Sequence, residues 1–231
     1  MSAVTRDEER YSEVGPGPLS RWSATVYWVL VIEALVVLTS LPGLVGLLFL
    51  GGSASNVPLV MLCLLPVGPS LAAAVFAWRD FLAQGRPGRD LTPARHFLRG
   101  YRLNWLDVLR WWVPTLVVLA ILSVNAVHAG GVFATAALVL GVALLTWAGN
   151  ALVLSAVFAF RTRDVARLAA YYLAAKPVAG LGVLALLVVA GGLAVLTSDW
   201  LVVLLASLLV LLLVRNAQPV IADATDRFTT N

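Results

Sequence analysis

One acid stands inside a long apolar run. Glu33 lies in Trp22–Leu50, roughly 16 Å along a helix from Trp22 and so near the middle of a bilayer. A charge at that depth is costly, so the carboxyl must be protonated, paired or turned toward a polar cavity. No basic residue stands at that depth in any apolar run. Asn, Ser or a backbone carbonyl is the expected partner. Trp147 and Asn150 are three residues apart and share a helix face. An indole beside an amide and a carboxyl can hold a carbohydrate, whose C–H face stacks and whose hydroxyls need partners. The same pair can equally serve packing and a hydrogen bond between helices. Pro66 and Pro69 cannot both sit in a regular helix. The helix must break there, with Ser70 satisfying freed backbone groups. Breaks of this kind form binding sites in transporters. Glu33, Pro66, Pro69, Trp147 and Asn150 are therefore the candidate binding residues.

Catalytic equipment is sparse. The lone lysine, Lys176, has no glycine-rich approach and makes no phosphate loop. The two histidines, His96 and His128, form no HExxH pair, and no GxSxG elbow occurs. Cys63 is the one cysteine, which leaves no disulfide framework and no cysteine-based zinc site. The expectation is a chain that is not an enzyme and uses no cofactor or metal.

The elements that hold these residues must cross a membrane. The chain is 61% hydrophobic and 12% charged, with mean hydropathy +0.92. Soluble domains carry about 25% charged residues. The 16 Lys and Arg fall in four groups: Arg6, Arg10 and Arg21; Arg79 to Arg110; Arg161, Arg163, Arg167 and Lys176; then Arg215 and Arg227. They flank apolar runs, so the pI of 9.7 reflects juxtamembrane charge and not nucleic-acid binding. The fold expected is all-α, a polytopic membrane helix bundle in the cell membrane. Its six spans are Trp22–Leu50, Val57–Trp78, Trp111–His128, Phe133–Phe160, Pro177–Thr197 and Leu201–Val214. Basic connections stay cytoplasmic, so both termini do too. Residues 1–21 and 218–231 are expected to be cytoplasmic tails about a transmembrane domain, 22–217. The alternative is five spans plus a re-entrant segment.

Two spans have awkward lengths. The first is about 43 Å if straight, so it must tilt or break, with Pro42-Gly43 as the natural break. The sixth is short and is expected to be longer than drawn, Arg215 snorkelling to the headgroups. Trp22, Trp28, Trp78, Trp105, Trp111 and Trp112 are expected toward the inner interface and Trp200 toward the outer. Gly68, Ala72, Ala73, Ala74 and Ala77 form a small-residue surface for close helix contact.

Between spans two and three, Gly85-Arg86-Pro87-Gly88 reads as a turn. Thr92-Pro93 reads as an N-cap with proline at the first helical position. Phe97, Tyr101, Trp105, Val108 and Trp112 then share one face, opposite Arg95, Arg99, Arg102 and Arg110. This spacing predicts an amphipathic helix over 93–110 lying at the cytoplasmic interface, apolar face down, and running into span three. Its four arginines are the candidate docking residues for a partner or anionic lipid.

Two stretches carry a family likeness. They are Leu65-Pro66-Val67-Gly68-Pro69-Ser70-Leu71-Ala72-Ala73-Ala74 and Phe97-Leu98-Arg99-Gly100-Tyr101-Arg102-Leu103-Asn104-Trp105. Together they resemble the YesL family of bacterial membrane proteins, a domain of unknown function, over roughly Trp22 to Pro177. The chain departs from that pattern by a longer first hydrophobic region, Leu41–Met61. The resemblance implies a small helical membrane protein, often encoded beside carbohydrate ABC transporters, with no known catalytic residue. It points to a non-enzymatic accessory of carbohydrate uptake, with ABC transporter permease subunits as partners and the lipid bilayer around it. The alternative is a small-solute transporter or channel with a midplane site near Glu33 and the Pro66–Pro69 break.

Overall fold

In a computed structural model of the chain, residues 18–51, 53–83 and 91–228 are described, with side chains from 22 to 227 among them. The Gly85–Gly88 turn and the N-terminal tail before Pro18 lie outside the described residues. Those residues form helices and no strand. In chain order the helices are α1 (Pro18–Leu48), α2 (Val57–Cys63), α3 (Val67–Ala83), α4 (Pro93–Ala129), α5 (Gly131–Val157), α6 (Thr162–Ala175), α7 (Pro177–Leu196), α8 (Asp199–Leu204), α9 (Ala206–Asn216) and α10 (Gln218–Phe228). A 3₁₀ turn, Ala54–Asn56, precedes α2.

Four helices are long and apolar enough to cross a membrane: α1, α4, α5 and α7. The number rises to six if each of two bent pairs is one span. One pair joins the turn and α2 to α3 at 42°; the other joins α9 to α10 at 50°. These long apolar helices mark a membrane protein.

The predicted break before Val67 is real. Pro66 has no N–H, and the helix stops at Cys63 and resumes at Val67. Ser70 donates its hydroxyl to the Pro66 carbonyl at 2.7 Å and accepts one from Thr39 at 2.8 Å. The Leu64 carbonyl accepts the Trp112 indole N–H at 3.1 Å. These side-chain bonds add to the backbone amides that the same two carbonyls accept from Ser70 and Val67, and they reinforce the break.

The second predicted break is absent. Helix α1 runs unbroken through Pro42, which is exposed. Gly43 serves a different purpose, because a side chain there would collide with the Cys63 carbonyl. The Pro-Gly pair brings two backbones together where a bend was expected.

The arginine-bearing segment does run into the expected third span, as the first half of α4, a helix of 37 residues, about 55 Å at 1.5 Å per residue. What differs is its apolar side. His96 pairs with Asp80, Gly100 faces Phe76 and Trp112 meets Leu64, so this half stands antiparallel against α3 and then α2. Phe97 and Val108 are fully buried there. Phe97 and Val108 of the face expected in lipid are spent on protein, whereas Trp105 of that face is exposed at the edge of the arginine arc.

Helix α3 is the centre of the bundle, packed by α1, α4, α5 and α9. Its Ala72, Ala73, Ala74 and Ala77 are wholly buried, as the small-residue surface predicts. The tryptophan belt is only partly present. Trp22, Trp105 and Trp200 are exposed, whereas Trp28, Trp78 and Trp111 are core residues. Trp28 lies 4.8 Å from Phe81 and 5.6 Å from His96 between ring centroids. Residues 218–228, expected as part of a tail, form α10 and bury Val220 and Ala224.

The closest helix contacts predict unequal costs for one substitution. A Cβ at Gly100 would lie 2.7 Å from Phe76, whereas one at Gly141 meets nothing within 4 Å. Gly100→Ala should lose about 1–3 kcal/mol to overpacking, which outweighs the roughly 1 kcal/mol of helix propensity gained. Gly141→Ala should keep that gain. Thermal melts of the two purified variants check the opposite signs.

Candidate functional site

Glu33 does have a partner inside the bundle, though a different one from that expected. The helix after Ser198 is interrupted at Leu205, where φ is −111° and ψ is 8°. The Ser207 amide donates to Glu33 Oε2 at 2.7 Å, and the Ala206 amide also bonds the carboxyl. These are the first two amides of α9. In a continuous helix they would have gone to Val202 and Val203. A carboxylate from α1 therefore caps the start of α9 across the bundle, where free N–H groups and the helix dipole both favour negative charge. Backbone amides, not a side chain or a carbonyl, are the partners. Glu33 Oε1 and the Ser207 hydroxyl are buried with no hydrogen-bond partner.

Beside this cap lies a cavity of about 370 Å³, walled by α1, Leu64, α3, α4, α5, α7, α8 and α9. Val36, Val37 and Leu44 line one side and Leu152, Val183 and Leu187 another. Its polar side-chain groups are few: the Ser40 hydroxyl and the indoles of Trp111 and Trp112. The Trp112 N–H is already given to Leu64.

None of the five candidate binding residues lines this cavity, although their neighbours do. Val67 and Gly68 stand between Pro66 and Pro69, Gly149 precedes Asn150, and Val36 follows Glu33 by one turn. Trp147 donates its N–H to the Ala166 carbonyl of α6 at 3.1 Å and sets its ring perpendicular to Trp111, centroids 5.9 Å apart. Asn150 is 3% exposed, and its amide nitrogen has no partner. The five residues are spread over helix contacts and do not converge on one point.

The four docking candidates do share a surface. Arg95, Arg99, Arg102 and Arg110 are all exposed. Leu98, Leu103, Trp105 and Leu106 are exposed among them on the same arc, opposite Phe97, Gly100 and Val108. Arg110 pairs with Asp107 at 2.6 Å. Arg95, Arg99 and Arg102 have no carboxylate partner among the described residues.

Two polar clusters escaped the sequence. His96 Nδ1 lies 2.9 Å from Asp80 Oδ2, joining α4 to α3. Asp223 of α10 accepts from the buried Tyr172 hydroxyl at 3.1 Å, and lies 3.5 Å from Lys176 and 2.9 Å from Arg227. Lys176, Arg227 and Asp223 itself place three charges in this cluster, which lies outside the four long apolar helices. The signal for α6 was present in Val165, Ala169 and Tyr172, spaced for one helix face and all buried. Burial pushes the Tyr172 hydroxyl up to about 12, helped by its bond to Asp223 and that group's charge. Burial alone would raise the Asp223 carboxyl. The Tyr172 hydrogen bond and the charges of Arg227 and Lys176 outweigh it and hold the carboxyl below its ordinary range.

Residues 23–126 match a family described as "Protein of unknown function, DUF624". The matched segment takes in nearly all of α1, the broken α2–α3 pair and most of α4. YesL is itself a DUF624 family, so the match agrees with the resemblance at that coarser level. No curated protein and no solved structure matches the chain.

The cap on α9 predicts a graded mutant series. Glu33→Ala leaves two buried amides without acceptors and should cost about 1–2 kcal/mol. Glu33→Gln keeps one carbonyl oxygen and should lose less, which thermal melts in a single detergent would rank. The Asp223 cluster predicts two pH limits. A lowered carboxyl stabilises fully above about pH 4 and stops doing so as pH falls through its folded value. A raised tyrosine stabilises fully below about pH 10 and stops as pH climbs toward its folded value. The protection of amides across Gln218–Phe228, measured against their intrinsic exchange at each pH, should therefore fall at both extremes, and Asp223→Asn should remove the acid limb.

Proposed function

We propose that the chain is a non-enzymatic accessory protein of carbohydrate uptake. In this reading it sits in the cell membrane with six spans, α8 and α9 together forming the last, and its basic connections and both termini in the cytoplasm. The observation that supports it best is the exposed arc of α4. Three guanidiniums with no carboxylate partner among the described residues interleave with Leu98, Leu103, Leu106 and Trp105 on a helix whose other side is packed in the bundle. Arginine and tryptophan beside exposed aliphatic groups are the chemistry of a protein contact with an acidic partner surface. A transporter permease subunit is the partner that the family resemblance suggests, and the same resemblance supplies the link to carbohydrate.

The bundle's polar groups favour this reading over a sugar channel. Trp112, Trp147, Asn216 and Glu33 bond neighbouring helices, which is what holds a scaffold rigid. A sugar placed in the apolar cavity would leave most of its hydroxyls unpaired.

Affinity purification from native membranes tests the proposal. The intact chain should recover a transporter subunit, and a charge-reversed variant, Arg95→Glu with Arg99→Glu and Arg102→Glu, should lose it while still folding and inserting. Recovery of no transporter subunit in several detergents would remove the accessory reading. Equal recovery by both forms would remove α4 from it.

A further inference from the structure

We propose that the central cavity is a binding site for a single acyl chain. The site does not depend on the accessory reading. Its walls come from all of the long helices, and aliphatic side chains make up most of them. A cavity of about 370 Å³ lies in the size range of small-molecule sites, roughly 300–1,000 Å³. Apolar voids of this kind exclude water and take up hydrocarbon. Several wall residues, among them Leu145, Leu187, Ala190 and Val203, are only partly buried, so the space is not fully closed by packing.

Two residues of the wall narrow the class of ligand. Ser40 is 2% exposed and Trp111 is 3% exposed. The Ser40 hydroxyl and the Trp111 indole N–H are each buried with no hydrogen-bond partner. An unpaired donor in a low-dielectric interior carries a desolvation cost that a ligand oxygen would relieve. They stand on different helices, α1 and α4, against the same space. A hydrocarbon chain with one oxygen-bearing end meets both demands, with aliphatic contact along the walls and an acceptor for the indole. A sugar meets only the second, and a plain alkane only the first. Fatty acids and the acyl tails of phospholipids share this chemistry.

Photolabelling with a fatty acid that carries a diazirine tests the site. The full chain, held in nanodiscs, is irradiated with the probe, and labelled peptides are mapped by mass spectrometry. Label on the wall segments Val36–Leu47 and Val183–Ala190 should saturate and be competed away by excess palmitic acid. Label on the outward face of α5 at Leu138–Leu140, which is exposed, should rise linearly with probe and resist competition. Ala190→Phe and Val203→Phe place a ring in the cavity and should each raise the half-saturating probe concentration by about ten-fold or more. Competition by the free acid alone identifies a fatty-acid site. Competition by a phospholipid of the same chain length identifies a lipid-tail site, and both outcomes support the proposal. Wall labelling that does not saturate, or that neither competitor lowers, overturns it without recourse to the variants.

Discussion

A backbone that stops being a helix inside an apolar bundle must find other hydrogen bonds. That requirement organises this protein. Where Leu205 interrupts the last helices, the orphaned amides of Ala206 and Ser207 are met by Glu33. Beside the break at Pro66, Ser70 and Trp112 add bonds to the Pro66 and Leu64 carbonyls. Glu33 and Trp112 come from other helices, so their bonds also fix how two helices sit. Glu33 and Trp147 are thus tied to the backbone of neighbouring helices.

The repairs surround a space lined by aliphatic groups. Short side chains on α3 allow four helices to gather on it. The same helices separate around the broken segments, where Val67, Gly68, Val202 and Ala206 form part of the cavity wall. Breaks and cavity have a common origin, because a bent helix cannot pack evenly along its length. The cavity is therefore a geometric result of the two interruptions, and its chemistry follows from the aliphatic composition of the runs that bend.

Helix positions were largely legible in the residues. Apolar runs bounded by arginine mark the long helices, and the two prolines three apart mark the break after Cys63. What escaped was tertiary. Proline at 42 cannot be told from proline at 66 by type alone. The first faces outward from an otherwise intact helix, while the second is accompanied by another proline and by Ser70. The alternation over 93–110 identifies an amphipathic helix, but period says nothing about whether lipid or α3 covers its apolar side. Trp22, Trp105 and Trp200 are exposed, whereas Trp28, beside Phe81 and His96, is taken into the core by packing. Glu33 could be recognised as needing a partner, yet the partner is a pair of amides freed by an irregularity at Leu205 that no residue type announces.

Helix α4 has a mechanical consequence. One uninterrupted rod carries the exposed arginines near its beginning and Trp111 and Trp112, on the cavity wall, in its middle. A partner held at the arginine end and a ligand beside the indoles would then both bear on one helix, as two loads on a single lever.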